Sequence, residues 1–174
     1  MSLRTRCGFL LAALATIALY GPRASDAAAL TPEDAAAAQK AFRTIQRPKI
    51  EAQGWRFVVS AGYRERSDSD VFVQDIRRKE GSLRSAWFLI ASYELVYPSV
   101  WDATPKLPYQ STKVLYWFDC SDLSYEYRQG AAYLHVDGTG RPSDSTNIPT
   151  SQAPSLKESA PNSLLRDLAS AVCR

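Results

Sequence analysis

The 174-residue sequence predicts an α+β domain, an antiparallel β-sheet of about six strands with a helix at either end. Three observations favour this class. Apolar and polar residues alternate between Trp55 and Val136, an alanine-rich segment precedes that stretch, and leucines at helical spacing close the chain just before Cys173. With 45% hydrophobic and 11% aromatic residues, the chain has the composition of one globular domain.

Residues 1–27 have the organisation of a secretory signal peptide. Two arginines precede an uncharged apolar run over residues 8–20, and small residues follow at Ser25 and Ala27. A membrane anchor is the competing interpretation, but about 13 apolar residues fall short of the ~20 that a helix needs to cross a bilayer. We predict export and cleavage. Removal of three Arg and one Asp from the totals of 21 basic and 18 acidic residues then leaves 18 against 17.

Cysteine usage follows from this assignment. Cys7 lies before the apolar run and leaves with it, so Cys120 and Cys173 remain. Two cysteines in an exported chain predict one disulfide, and the alternative is a pair of unrelated buried thiols. No cysteine directly follows the apolar run, where a lipid anchor would be attached. The sequence therefore predicts a soluble protein of the periplasm or the external medium, in preference to one attached to the cell surface.

Residues 28–53 are predicted to form an N-terminal helix and a linker. Thr31 can cap the helix and Pro32 fits its first turn. The alanines that follow favour helix to about Gln46, and Pro48 is a stop signal. Because alanines bury little surface, two interpretations stay open: a helix docked on the sheet, and a loosely attached leader.

Residues 54–174 are assigned to the domain itself, whose strands follow the period-two rule. The alternating segments are 55–60, 71–76, 86–96, 114–119, 123–127 and 133–136. The polar group at 79–82 and the pair Ser121-Asp122 predict hairpin turns. Three prolines between 97 and 109 predict an irregular crossing loop, because proline cannot donate to a β-ladder.

A short helix is predicted to close the chain. After a turn at 137–140, residues 141–161 are rich in Ser, Thr, Asn and Pro and are expected to form an exposed loop. Asn162 or Ser163 can cap the helix that follows. Its apolar residues recur at four-residue spacing: Leu164, Leu168 and Val172. A bridge between the two cysteines would clamp this helix to the sheet.

The residues that common enzymatic mechanisms need are missing from the sequence. The lone histidine, His135, lies in a predicted strand and no nucleophile elbow accompanies it, so we interpret it as a surface or edge residue of that strand. One histidine and an oxidised cysteine pair cannot supply the three or four ligands of a zinc site. We therefore predict a protein that is not an enzyme, with no metal and no cofactor.

Two short motifs have a superficial likeness to ligand sites. The Gly138-Thr-Gly140 segment lacks the lysine and the strand-to-helix order of a phosphate loop. The aspartates Asp68 and Asp70, which alternate with serines, could attract calcium, but the spacing and the final Glu of the known calcium loop are absent. We interpret both segments as turns, the second of them solvated.

The densest cluster of positive charge is Arg77, Arg78 and Lys79, with Arg84 across the predicted turn. Such clusters are usually solvated tips, but an exposed tip can also hold an acidic partner, mainly by speeding its encounter. Tyrosines after residue 108 exceed what a small core needs and suit a contact surface, although sheet tyrosines with hydrated hydroxyls are the simpler interpretation. The four cations are the candidate partner-binding residues.

A set of motifs follows in order along residues 54–174. They are Trp55, the strand 72–76, Trp87, the segment 110–120, Tyr125-x-Tyr127-Arg128, the Gly138-x-Gly140 turn, and the ending 161–163 with Val172-Cys173. Together they resemble the surface-adhesin protein E family of Gram-negative bacteria. The resemblance implies an antiparallel sheet of about six strands, a C-terminal helix and a disulfide from Cys120 to Cys173. This sequence lacks that family's lipidation cysteine and the tryptophan expected after the Gly-x-Gly turn.

The founding adhesin of that family binds host matrix and plasma proteins such as vitronectin and laminin, and it forms dimers. The resemblance thus implies an exported non-enzymatic binding domain for a protein partner, with a dimer among its expected states. The alternative is a periplasmic accessory protein that binds an envelope component or a small ligand in a pocket beside the sheet. A hydrolase of a new type is a third hypothesis. A net charge of +3 does not favour a nucleic-acid partner, and after cleavage no membrane span is expected.

Overall fold

The computed structural model describes residues 32–63, 66–96, 107–148, 154–159 and 163–174. Within these residues the chain forms two helices and six strands. In chain order they are α1 (Pro32–Glu51), β1 (Arg56–Tyr63), β2 (Arg66–Arg78), β3 (Leu83–Val96), β4 (Tyr109–Asp119), β5 (Ser124–Tyr133), β6 (Asp144–Asn147) and α2 (Leu164–Cys173). The predicted signal peptide, and most of the predicted crossing loop, lie outside the described residues and stay predictions.

The six strands form one antiparallel sheet in which every strand pairs with its neighbours in sequence, in the order β1-β2-β3-β4-β5-β6. Strand β3 lies near the middle and is buried along most of its 14 residues, as a strand packed on both faces must be. The α+β class, the six-stranded antiparallel sheet and the two terminal helices are confirmed.

Each face of the sheet is covered by one helix. We call the face that carries Phe88 and Phe118 the α2 face, because Leu168 and Val172 of α2 are buried in the same cluster. We call the opposite face, which carries Leu89, the α1 face, because its cluster includes Ile50 of α1. Neighbouring residues of a strand point to opposite faces, so strands β1, β2 and β3 each supply residues to both clusters.

The helix α1 ends at Glu51, five residues later than the predicted end at Gln46, and it contains Pro48. The expectation that Pro48 would stop the helix was wrong. The carbonyl of Pro48 accepts a hydrogen bond from the N–H of Ala52 at 2.9 Å, and Ile50 is fully buried against the sheet. Burial of Ile50 therefore outweighs the proline penalty, and of the two interpretations left open for α1 the docked helix is correct.

The expected strand at 133–136 was wrong. Strand β5 already ends at Tyr133, and the sixth strand, β6, lies at 144–147 within the segment expected to be an exposed loop. It pairs with residues 129–132 of β5. A short polar strand at the sheet edge needs only backbone pairing, so its side chains carry no apolar alternation that would reveal it.

The C-terminal helix matches its prediction closely. Ser163 caps α2, and its Oγ accepts a hydrogen bond from the N–H of Arg166 at 3.3 Å. Cys120 and Cys173 form a disulfide that joins the β4–β5 turn to the last turn of α2. The predicted clamp is confirmed.

Candidate binding surface

The four candidate cations lie on the hairpin between β2 and β3. Its turn is closed by hydrogen bonds from the Lys79 N–H to the Leu83 carbonyl (2.9 Å) and from the Leu83 N–H to the Glu80 carbonyl (3.0 Å). Gly81 has a φ of +59°, a left-handed conformation that glycine adopts without strain. The structure thus brings Arg77, Arg78, Lys79 and Arg84 to one hairpin, as the sequence predicts.

A β-bulge decides which way these cations point. The register between β2 and β3 shifts between Gln74 and Arg77, where Asp75 has a φ of +54°. Gln74 pairs with Trp87 and Arg77 with Ser85, so one extra residue lies on β2. The bulge reverses the order of faces, and every side chain beyond it points to the face opposite to the one that simple alternation gives.

The register then divides the cations between the two faces of the sheet. Arg78 pairs with Arg84, and Arg84 with Phe118, which belongs to the α2 face. Arg77 pairs with Ser85, and Ser85 with Trp117, which belongs to the α1 face. Residues directly opposite one another on antiparallel strands share a face. Sequence pattern placed the four cations together but did not show this division.

The local partners of the cations differ. The Arg77 guanidinium lies 3.8 Å from the Asp75 carboxylate, and both side chains are more than half exposed, so water and salt screen the pair. Arg84 donates to the carbonyl of Leu83 at 3.2 Å and so supports its own turn. Arg78 and Lys79 are exposed. The tip therefore carries an excess of accessible positive charge.

On the α1 face, Trp117 lies close to two cations. The exposed Lys79 ammonium is 5.6 Å from the centroid of the Trp117 ring, and the Arg128 guanidinium is 4.4 Å from it. Arg128 is 1% exposed and donates to the Glu126 carboxylate at 2.9 Å. The buried pair neutralises itself and lies against the ring, whereas Lys79 approaches from solvent.

This arrangement was not foreseen from the sequence. The available signal was the period-two pattern of β5, in which Glu126 and Arg128 alternate with Tyr125 and Tyr127. Three of the five tyrosines proposed as contact residues lie on the other face: Tyr116 packs edge-on against Tyr125 and Tyr127 at 6.1 and 5.9 Å between ring centroids, beside the α2 cluster. They are half-buried members of that cluster.

A second polar cluster joins α1 to the sheet through Asp70. The expectation of a solvated turn here was wrong, because Asp70 lies in β2 and is fully buried. Arg47 donates two hydrogen bonds to Oδ2 of Asp70, from Nε at 3.0 Å and from Nη2 at 2.8 Å. The Tyr93 hydroxyl donates to the same Oδ2 at 2.6 Å, and the Ser60 hydroxyl donates to Oδ1 at 2.6 Å. The Arg43 guanidinium lies 3.5 Å from Oδ1. A carboxylate with this many donors is compatible with burial.

Two pKa shifts reflect this cluster. Burial on its own lowers the pKa of Arg47, but the hydrogen bonds and the charge of Asp70 outweigh it and hold the pKa above the ordinary value. Burial, together with the hydrogen bond to Asp70, raises the pKa of Tyr93 well above its usual range. Tyr93 therefore remains a neutral donor at any physiological pH.

An open groove of about 530 Å³ runs along α1. It is lined by Ala36, Gln39, Lys40, Arg43, Thr44, Arg47 and Pro48. The groove is a candidate for the small-ligand pocket of the alternative hypothesis. Its lining combines three cationic side chains with mostly apolar atoms.

The remaining candidates for chemistry are His135 and possible metal ligands. His135 was expected inside a strand, but it lies beyond the end of β5, is exposed, and its carbonyl accepts a hydrogen bond from Ser111 at 2.6 Å. Among the described residues, no three His, Cys, Asp or Glu side chains are grouped so that they could hold a metal ion. No helix within the same residues is long and apolar enough to cross a membrane.

The chain has similarity to known proteins at the level of a family and of a solved structure. Haemophilus influenzae protein E, in its crystal form II, is 13% identical to this chain, with 69% of this chain and 87% of that chain covered and a TM-score of 0.45. A search of curated proteins gave no match. The family model of Surface-adhesin protein E matches residues 59–174, which is more than half of the chain and includes most of β1, the strands β2 to β6, α2 and both bridged cysteines. The chain therefore belongs to the Surface-adhesin protein E family.

Proposed function

We propose that this protein is an exported, non-enzymatic binding domain that holds an acidic region of a protein partner at the tip of the β2–β3 hairpin. The observation that supports it most directly is the accessible charge of that tip. Arg77, Arg78 and Lys79 are exposed, and the one acidic side chain paired with them among the described residues is the screened Asp75. Host matrix and plasma proteins are the most specific partner class that family membership suggests.

Exposed charge of this kind acts mainly on the rate of encounter. Positive groups at a projecting tip attract an acidic partner over roughly one Debye length, about 10 Å at moderate salt. They contribute less to the lifetime of the complex, because water and salt screen them once it has formed. We therefore expect the association rate to fall steeply as salt is added, and the dissociation rate to change little.

The test is a charge-reversed variant with Arg77→Glu, Arg78→Glu and Lys79→Glu, measured by surface plasmon resonance on immobilised vitronectin and laminin. The association rate should fall by about tenfold or more. The matched control carries Lys40→Glu, Lys49→Glu and Lys157→Glu, which makes the same change of net charge at exposed positions away from the tip. Equal association rates for the tip variant and the control would contradict the proposal.

The place of action is part of the same proposal. Export rests on the predicted signal peptide, and cell fractionation tests it: protein at the surface or in the medium supports contact with host proteins. Protein confined to the periplasm would instead favour the accessory role, for which the groove along α1 is the supporting observation. A dimer is a further expectation, and analytical ultracentrifugation of the processed protein tests it.

A further inference from the structure

We propose that the acidic partner segment lies across the α1 face of the sheet, on a platform formed by Trp87, Leu115 and Trp117, and that the tip cations of the opposite face take no part. This inference rests on the proposed function and assigns its contact surface. The occupant is an extended acidic segment of a protein. The α1 face carries both accessible cations and aromatic area, and the tip alone carries only charge.

Two of the three platform residues, Leu115 and Trp117, lie outside the cluster shared with α1, and the third, Trp87, packs against the edge of that cluster. On the α1 face, Trp87 pairs with Leu115 in one row of the sheet and Ser85 pairs with Trp117 in the next row towards the tip. The cluster shared with α1 contains Leu89 and Tyr93, which are four and eight residues from Ser85 along β3, or roughly 13 and 26 Å. The platform residues are accordingly half-buried, not covered.

A buried ion pair fixes the orientation of the central ring. Arg128 lies 4.4 Å from the Trp117 ring centroid and is held by Glu126 on the same strand, and both charged side chains are almost fully buried. A guanidinium stacked on an indole restrains the ring before a partner arrives, which reduces the entropy lost on binding. Arg128 is thus a positioning residue for Trp117.

Charge complementarity selects an acidic occupant. Glu126 neutralises Arg128, so the positive charge beside the platform comes from Lys79 and from Arg77, whose pair with the exposed Asp75 is screened by water and salt. Among the described residues no acidic side chain pairs with Lys79, whose ammonium lies 5.6 Å from the Trp117 ring centroid. Carboxylates of a partner could reach both cations while its apolar atoms lie on the ring, a combination that suits aromatic contact surfaces.

The opposite face offers less for the same purpose. Arg84 uses its guanidinium on the carbonyl of Leu83, and α2 already covers the apolar residues of that face. Arg78 is accessible, and among the described residues its row on that face holds Arg84 and the buried Phe118. Adjacent residues of the same type, Arg77 and Arg78, therefore point to unlike surfaces.

This adjacency provides a matched experiment. Arg77→Glu and Arg78→Glu make the same charge change at neighbouring exposed positions. The probe is a short fluorescein-labelled oligoglutamate peptide, followed by fluorescence anisotropy at low salt. We expect Arg77→Glu to raise the Kd by about tenfold and Arg78→Glu by less than about twofold. Trp117→Leu, which keeps both cations, should raise the Kd by about fivefold.

Loss of fold is separated from loss of contact by a second variant. Trp117→Phe keeps an aromatic ring in the same packing, so its Kd should lie between those of the wild type and Trp117→Leu, and circular dichroism of each variant checks the sheet. Equal losses for Arg77→Glu and Arg78→Glu would overturn the assignment to one face and leave the proposed function intact. Absence of peptide binding by the wild type would also overturn it. Equal association rates of the tip variant and its control on vitronectin and laminin would remove the proposed function itself.

Discussion

The two helices cover opposite faces of one sheet by different means. Helix α2 has 10 residues, buries Leu168 and Val172, and is bonded covalently to the β4–β5 turn. Helix α1 has 20 residues, yet among its described side chains only Ile50 is fully buried. Its attachment depends on Arg47, whose guanidinium binds the buried Asp70. Among the described residues, the longer helix is therefore not the one that buries more apolar side chains. An apolar stripe and a disulfide hold the short helix, and a charged cluster holds the long one.

The largest effect is expected at the disulfide. Replacement of both cysteines, Cys120→Ser with Cys173→Ser, should lower the free energy of unfolding by about 4 kcal/mol, because the bridge spans 53 residues of sequence. Urea denaturation of the variant and the oxidised wild type measures it, and reduction of the wild type should reproduce the loss. Hydrogen exchange should then accelerate in α2 before α1. A loss under about 1 kcal/mol would show that apolar contacts alone fasten α2.

A smaller effect is expected at the charged cluster. Arg47→Ala removes two hydrogen bonds from the buried Asp70 and should lower the free energy of unfolding by about 2 kcal/mol. The matched control is Lys40→Ala, which removes one positive charge from an exposed position of the same helix and should cost less than about 0.5 kcal/mol. Amide exchange should rise more in α1 than in β3. Equal losses for the two variants would mean that Asp70 does not anchor α1.

The smallest effect is expected from Asp137. Burial alone raises the pKa of Asp137, but the hydrogen bonds from Thr139, with that from Gln53 after α1, outweigh it and hold the pKa below its ordinary value. A lowered folded-state pKa means that this carboxylate stabilises the fold at neutral pH and loses its contribution as pH falls through that pKa. Asp137→Asn should therefore be less stable than wild type at neutral pH, by under about 1 kcal/mol given its solvent exposure.

Denaturation at neutral pH and at about pH 3 checks the direction, because the difference between wild type and Asp137→Asn should shrink towards acid. Asp167→Asn on α2 is the comparison variant, since Asp167 is exposed on the other helix and has no such hydrogen bonds among the described residues. A stability difference between wild type and Asp137→Asn that grows towards acid would contradict a lowered pKa for Asp137 in the folded protein.

Much of the fold could be predicted because its signals are local. Leu168 and Val172 occur at helical spacing, Ser163 is a capping residue, and two cysteines remain after the predicted cleavage; each points to α2 and its clamp without knowledge of the sheet. The alternation along β3 and β4 works the same way. Each of these elements can be recognised from a sequence pattern only a few residues long.

What could not be predicted depends on register or on tertiary contact. Asp70 is polar in sequence and becomes a core residue because Arg47, far away in sequence, reaches it. The bulge at Asp75 reverses the face of Arg77 and Arg78, and no apolar pattern marks it. Simple alternation from the buried Val73 would have placed Arg77 over α2. The platform around Trp117 was therefore invisible until the strands were paired.

One backbone hydrogen bond connects the proposed contact region to the disulfide. The N–H of Cys120 donates to the carbonyl of Ser82 in the β2–β3 turn at 3.1 Å, and the sulfur of the same residue is bonded to Cys173. The two neighbouring turns and the end of the chain thus form a single mechanical unit. Tension from a bound partner would pass from the hairpin through the hydrogen bond to Cys120, and from there through the disulfide into the C-terminal helix. The disulfide would thus resist separation of the hairpin from the neighbouring strand.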